Sequence, residues 1–237
     1  MKVYYNERAR EYEKVYFRND LIRQKEQILI QQKLQKLFTD QSILEIACGT
    51  GYWTQFIAKT AKHITAIDYS NEVLNIANQK DIPSSKVNFL HGDAYQLDKI
   101  PGNFEGCVAN FWFSHIPNFR IQEFLNQLHD KFDSGTTVFM TDNIYMDSMG
   151  GTLVHKENDP NTYKIRTLDN GTKYEIIKNY YTEEELKNIF SLFQMIYKYI
   201  WDSVFGGCLT RLNKKVQLSI TKIIQISCSL DSYRKLW

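Results

Sequence analysis

The chain has 237 residues, 43% hydrophobic and 24% charged, the balance of an ordinary globule with one full core and room for a small appendage. A net charge of +2 and a pI near 8.2 provide no basic stripe, so nothing prompts a nucleic-acid partner, and no apolar run nears the ~18 residues of a membrane-spanning helix. Cys48, Cys107, Cys208 and Cys228 are widely spaced and Met1–Arg8 has no apolar signal core, so neither a zinc site, a disulfide framework nor secretion is expected, and a cytoplasmic protein fits.

Residues 4–18, with Tyr4, Tyr5, Arg8, Tyr12 and Tyr16, read as a polar-aromatic helix outside the core. Residues 20–38 place Leu21, Ile22, Ile28, Leu29, Leu34, Leu37 and Phe38 at helical spacing, which predicts an amphipathic helix over one face of a sheet.

The stretch Ile43-Leu-Glu-Ile-Ala-Cys-Gly-Thr-Gly51 organises the rest of the chain. Its apolar half reads as a buried parallel strand, and Gly49 and Gly51 let the backbone turn with no side chain between it and a ligand. A dinucleotide loop would carry a third glycine, where this chain has Tyr52, Trp53 and Thr54. A crossover helix over Tyr52–Ala61 should lead to a second strand, 63–67, ending in Asp68. A carboxylate there can accept both hydroxyls of a ribose, or it can stabilise the N-terminus of the next helix, although Ser70 is the better cap. A third strand over Val87–His91 closes in Gly92-Asp93-Ala94, and a fourth over Phe104–Phe111 runs into Trp112-Phe-Ser-His115. A helix over 118–132 and a fifth strand over 135–142 complete this half.

Glu45-Ile-Ala-Cys-Gly-Thr-Gly51, Asp68-Tyr-Ser through Leu74 and Ala77, and Gly92-Asp-Ala94 together resemble the class I S-adenosylmethionine (SAM) methyltransferases, over about residues 4–201. The departure is Ala47, where the family usually has its first glycine. The resemblance implies an α/β fold: a Rossmann-like, doubly wound, mostly parallel seven-stranded sheet with an N-terminal helical cap (1–40) and a β-hairpin insertion (143–181) after the fifth strand. It implies one domain over 1–205, leaving a tail, 206–237, whose apolar residues show no clean period.

It further implies that SAM is held by Glu45, Ala47, Cys48, Gly49 and Gly51 at its methionyl part and by Asp68 at the ribose. Tyr69 would stack on the adenine, Asp93 and the Ala94 N–H would meet its edge, and Asn110 and Phe111 would border the sulfonium. Tyr12, in the cap, either lies near SAM or packs its helix on the sheet edge. His115 is either a general base for the methyl acceptor or a residue that shapes the cavity floor. Tyr145, Tyr163, Arg166 and Tyr180 are candidates to line the acceptor side. Asp142-Asn143 makes no complete metal set, because a third carboxylate after the fourth strand is replaced by Asn110, and no metal is expected.

The function expected is methyl transfer to a small-molecule acceptor by a monomer or homodimer. A SAM-binding module without turnover and an NAD-dependent oxidoreductase are the competing readings. The Asn/Asp-Pro-Pro-Tyr pattern of nucleic-acid amino-methyltransferases is absent.

Overall fold

A computed structural model describes residues 1–145, 152–192, 195–201 and 205–212. Strands β1 (Ser42–Ile46), β2 (His63–Asp68), β3 (Val87–His91), β4 (Gly106–Asn110) and β5 (Thr137–Asn143) pair in parallel in the order 3-2-1-4-5. The central β4 is buried along its whole length, which is why Gly106-Cys-Val-Ala-Asn110 does not alternate with polar residues. Gly106 is needed there because a Cβ would fall 2.5 Å from the Phe38 ring.

Alternation along β1 feeds two cores. Leu44 and Ile46 join Cys107, Ala109, Val138 and Met140 under helix α5 (Ile121–Lys131), whose Phe124, Leu125 and Leu128 are fully buried. Ile43 joins Ile57, Ile64, Val108 and Phe139 on the other face, under Leu34 and Phe38.

The sheet has the seven strands expected and is mostly parallel, with five of them pairing in parallel with one another. β9 (Met195–Trp201) and β10 (Phe205–Leu212) complete it as 3-2-1-4-5-10-9, and β10 runs antiparallel to both neighbours. The cause is connection length: residues 202–204 alone separate the two strands, whereas a parallel return needs a crossover of about a dozen residues. The sheet thus continues through Leu212, past the start assigned to the tail, and residues 213–237 lie outside the described residues.

The insertion is more than a hairpin. β6 (Leu153–His155), β7 (Thr162–Thr167) and β8 (Lys173–Ile177) form a separate three-stranded antiparallel sheet. Asn170-Gly171 makes the turn between β7 and β8, with Gly171 at φ +85°.

The helices depart from expectation in instructive ways. The N-terminal segment is α1 (Lys2–Arg8) followed by a 3-10 stretch over Ala9–Val15, and Tyr4 is buried rather than peripheral. In α2 (Leu21–Leu37) Leu34 is buried, but Leu21, Ile22, Ile28 and Leu29 are exposed while Glu26 and Gln27 are buried, so its first half turns a polar side inward. Regular α3 covers only Thr54–Ile57, although a mixture of i→i−3 and i→i−4 bonds continues to Ala61. α4 (Asn71–Ala77) is capped by Ser70, whose hydroxyl accepts from the Val73 N–H, and α6 (Glu183–Ser191) carries the capping box of Thr182 and Glu185. Among the described residues no helix is long and apolar enough to cross a membrane.

Candidate functional site

The sheet order reverses between β1 and β4, and the loops that leave the carboxyl ends of β1, β2 and β4 converge there, where open α/β sheets take ligands. After β1 the backbone turns through left-handed residues at Ala47 (φ +54°), Gly49 (φ +57°) and Gly51 (φ +74°). The missing family glycine is therefore a position that does adopt a glycine conformation, and alanine is the smallest side chain that occupies it. Gly51 has no such latitude: a Cβ there would lie 3.2 Å from both the Ala77 Cβ and the Phe89 ring.

The loop is tied to the end of β2. The Cys48 N–H donates to the Ile67 carbonyl at 3.0 Å, and the Gly49 N–H donates to Asp68 Oδ2 at 2.9 Å. Asp68 Oδ1 accepts the Ser70 N–H at 2.9 Å. The carboxylate thus keeps acceptor capacity for a further donor, such as a hydroxyl. Burial raises the Asp68 pKa, opposed by the N–H donors of Ser70, Gly49 and Tyr69.

Glu45 and Asn110 stand out by what they lack. Glu45 is 1% exposed, its Oε2 has no hydrogen-bond partner, and burial pushes its carboxyl up to about 8. At the end of β4 both polar atoms of the buried Asn110 amide are also without a partner. Buried polar atoms are nearly always satisfied, so two such groups flanking one glycine loop mark a place prepared for a polar ligand. Phe111, next in the chain, is held at φ +55° by its N–H bond to the Thr141 carbonyl, a backbone strain of the kind found at binding sites.

The remaining cofactor-side candidates lie on the same rim. Asp93 folds back to accept the Tyr95 N–H at 2.9 Å, and Ala94 packs against the core. Gly92 before them has Ile100 and Ile67 so close that a Cβ would sit 2.9 Å from Ile100 Cδ1. Tyr69 is 48% exposed, with its ring beside His91 and below the Lys2 ammonium.

The N-terminal segment closes over the glycine loop. A Cβ on Gly49 would lie 3.8 Å from Tyr12 Cε1, so the Tyr12 ring edge borders the loop. Tyr16 stacks on Tyr52 at 3.7 Å and accepts the Trp53 indole N–H, while Glu13 accepts the Thr50 hydroxyl at 2.6 Å and pairs with Lys80 at 2.8 Å. On its other side Lys14 pairs with Asp169, Glu11 accepts the Asp169 N–H, and Tyr4 meets Tyr174. The segment therefore bridges the sheet rim and the insertion.

Between them is a cavity of about 160 Å³, bounded by Tyr5, Tyr12, Phe111, His115, Tyr180 and several basic side chains. His115 Nδ1–H donates to the Ile177 carbonyl at 2.7 Å, which leaves Nε2 as the ring's lone pair. Burial and the neighbouring Lys178 ammonium pull its pKa down to about 3, so the ring is neutral at ordinary pH. A proton transferred to such a ring would not be retained, so this environment lends the base reading no support.

Asp142 and Lys178 form the polar hub behind His115. The Lys178 ammonium donates to Asp142 Oδ1 at 2.7 Å and to the Ser114 hydroxyl, and Asp142 Oδ2 accepts the Ser114 N–H at 2.9 Å. Burial works to raise the Asp142 carboxyl, but Lys178 and His115 hold it below its usual value. Asp142 is thus committed to an ion pair. Of the four residues expected on the acceptor side, Arg166 and Tyr180 line the cavity. Tyr163 instead hydrogen-bonds Asp159, and Tyr145 packs on the Tyr180 ring. Sequence reasoning missed Lys164 and Lys178; the available signal was that Lys164 and Arg166 share one face of β7.

Residues 43–135 match a family model described as a methyltransferase domain. Among curated proteins, the demethylmenaquinone methyltransferase of Staphylococcus aureus is 28% identical over 81 residues, which span 33% of this chain and 34% of that protein. The match therefore covers about a third of the relative's length. Among solved structures, a DhpI–SAM–HEP complex superposes with a TM-score of 0.72 at 22% identity, covering 88% of this chain and 94% of that one. A SAM-dependent methyltransferase from Clostridium acetobutylicum gives 0.63 at 16% identity, covering 88% and 99%. At these identities the structural likeness is one of fold.

Proposed function

We propose, for a chain that belongs with the class I SAM-dependent methyltransferases, that it transfers a methyl group from SAM to a small-molecule acceptor seated in the cavity between cap, insertion and sheet. The observation that carries this reading is the convergence on one sheet rim of the glycine loop, the Asp68 carboxylate and the two unpartnered buried groups, Glu45 Oε2 and the Asn110 amide. These residues fit the donor. The loop from Ala47 to Gly51, with Cys48 and Glu45, would hold the methionyl part, Asp68 the ribose, Tyr69, Asp93 and Ala94 the adenine, and Asn110 and Phe111 the region of the sulfonium.

SAM supplies a methyl carbon already activated by a positive sulfur. The chain's own task is positioning and exclusion of water. Tyr12 and Phe111 border both the rim and the cavity, so they lie where donor and acceptor would meet. His115, neutral and fixed through Nδ1, is proposed as a hydrogen-bond acceptor that orients the substrate.

The oxidoreductase reading is disfavoured by the strand order, since a dinucleotide fold continues in parallel after its fifth strand and this chain inserts the reversed β10. The test is SAM carrying a labelled methyl group, incubated with the purified chain and a panel of small acceptors. Label in an acceptor, together with S-adenosylhomocysteine (SAH), supports transfer; SAM binding with no label moved would favour a module without turnover. Asp68→Ala should weaken SAM ~10- to 100-fold, the loss expected from hydrogen bonds to a charged group. An unchanged affinity would refute the ribose assignment.

A further inference from the structure

We infer that the methyl acceptor is a compact organic acid, its oxyanion seated among Arg8, Lys164, Arg166 and Lys178 in the cavity beside the sheet rim. This rests on the methyl-transfer reading for the word acceptor, and on the cavity itself for the word acid.

Six basic side chains line the cavity, Arg8, Arg18, Arg23, Lys164, Arg166 and Lys178, and among the described residues no acidic side chain lines it. Lys178 pairs with Asp142 at 2.7 Å and Arg23 with Asp20 at 3.3 Å. Arg8 lies over the rings of Tyr4 and Tyr12, and the Arg166 Nε is buried without a hydrogen-bond partner.

The strand that supplies two of these residues is built the wrong way round for a merely structural element. In β7, Lys164 is 4% exposed and the next residue, Ile165, is 51% exposed, so the pleat turns lysine inward and isoleucine to solvent. A one-residue shift in register would reverse both, and burial of apolar surface would favour that shift. Across the sheet Lys164 pairs with Ile176, and the alternation Ile176, Lys178, Tyr180 brings a second buried lysine to the same cavity.

The mutual repulsion is visible in the Lys164 ammonium, which burial together with Arg166, Lys178 and Arg23 pulls down to about 8. A bound oxyanion relieves that repulsion and gives the guanidinium groups the planar, charge-assisted hydrogen bonds for which they are shaped. Cavity size sets the scale of the molecule: about 160 Å³ suits something near a single ring in bulk.

The experiment uses the full chain saturated with SAH and titrates ethyl phosphate, propionate, 1-propanol and ethylammonium by calorimetry. The expected result is binding of at least one anion ~10-fold or more tighter than 1-propanol, weakening with added salt, and no binding of ethylammonium. The phosphate and carboxylate arms distinguish the two kinds of oxyanion. Lys164→Met and Arg166→Gln should each weaken the anion ~10-fold or more while SAH affinity stays within twofold, which also shows that the variants are folded. Propanol binding as tightly as both anions, or anion affinity unchanged in both variants, would overturn the inference. Anion binding without any SAH binding would instead leave the acid site standing and remove the methyl-transfer reading beneath it.

Discussion

Glu45→Gln should make the protein more stable and a poorer SAM binder at once, and the size of the first effect follows from the burial of the carboxyl. Glu45 is 1% exposed, and burial carries its pKa from 4.5 to about 8. A raised carboxyl pKa means that the folded state holds a proton that the unfolded chain releases above pH 4.5. The wild type therefore loses stability, relative to a chain with a neutral residue at 45, from pH 4.5 upward until the folded carboxyl also ionises near 8. At ~1.4 kcal/mol for each pH unit over which only the unfolded chain is ionised, the difference reaches about 3 kcal/mol at pH 7 and about 4 kcal/mol at pH 8, where the folded carboxyl is half ionised. Glutamine keeps the shape and cannot ionise. Urea unfolding of both proteins between pH 4 and 8 should show near-equal stability at pH 4 and a gap that opens in favour of the variant with rising pH. SAM affinity should move the other way, by tenfold or more, if the carboxylate meets the methionyl ammonium. Parallel curves across the whole range would refute the reasoning, because they would mean that the carboxyl is not desolvated in the folded chain.

Asp142→Asn should cost about 3–5 kcal/mol by leaving the Lys178 ammonium buried against other cations, while Asp142→Asn with Lys178→Met should recover most of that loss in a thermal melt. Gly51→Ala forces a side chain into a left-handed residue against Ala77 and Phe89, and should lower stability by about 1–3 kcal/mol with a drop in melting temperature. Because the His115 pKa lies near 3, the pH profile of kcat/KM should show no limb between pH 5 and 7 that His115→Asn removes. An oxyanion held by Lys164 should bind less tightly as pH rises through about 8, where that ammonium loses its proton, and the affinity of the Lys164→Met variant should be flat over the same range.

The glycine-loop half of the candidate site was legible because it is local. A buried strand, a glycine turn and a carboxylate at the end of the next strand are neighbours in sequence, and β1, β2 and β3 fell where the residue pattern put them. Even the departure at Ala47 is informative, since its φ of +54° explains why glycine is usual there. The cavity half was not legible, because its residues come from separate segments that meet only in three dimensions. Tyr163 and Arg166 could not be sorted by type, and β7 defied the expectation that isoleucine faces inward and lysine outward. For α2, counting apolar residues gave the right helix and the wrong face: Gln27 turns in to accept the Tyr52 hydroxyl and line the cavity, and Ile28 and Leu29 turn out. The reversed β10 follows from a short connection, and its residues, Phe205–Leu212, lie where the apolar pattern has no clean period to announce a strand.

Isothermal titration of the purified chain with SAM and with SAH tests the central claim most directly. Saturable one-to-one binding of both ligands, lost or strongly weakened in Asp68→Ala, is the predicted outcome. An absence of heat with either ligand at millimolar concentration, from protein that melts cooperatively, would contradict the account.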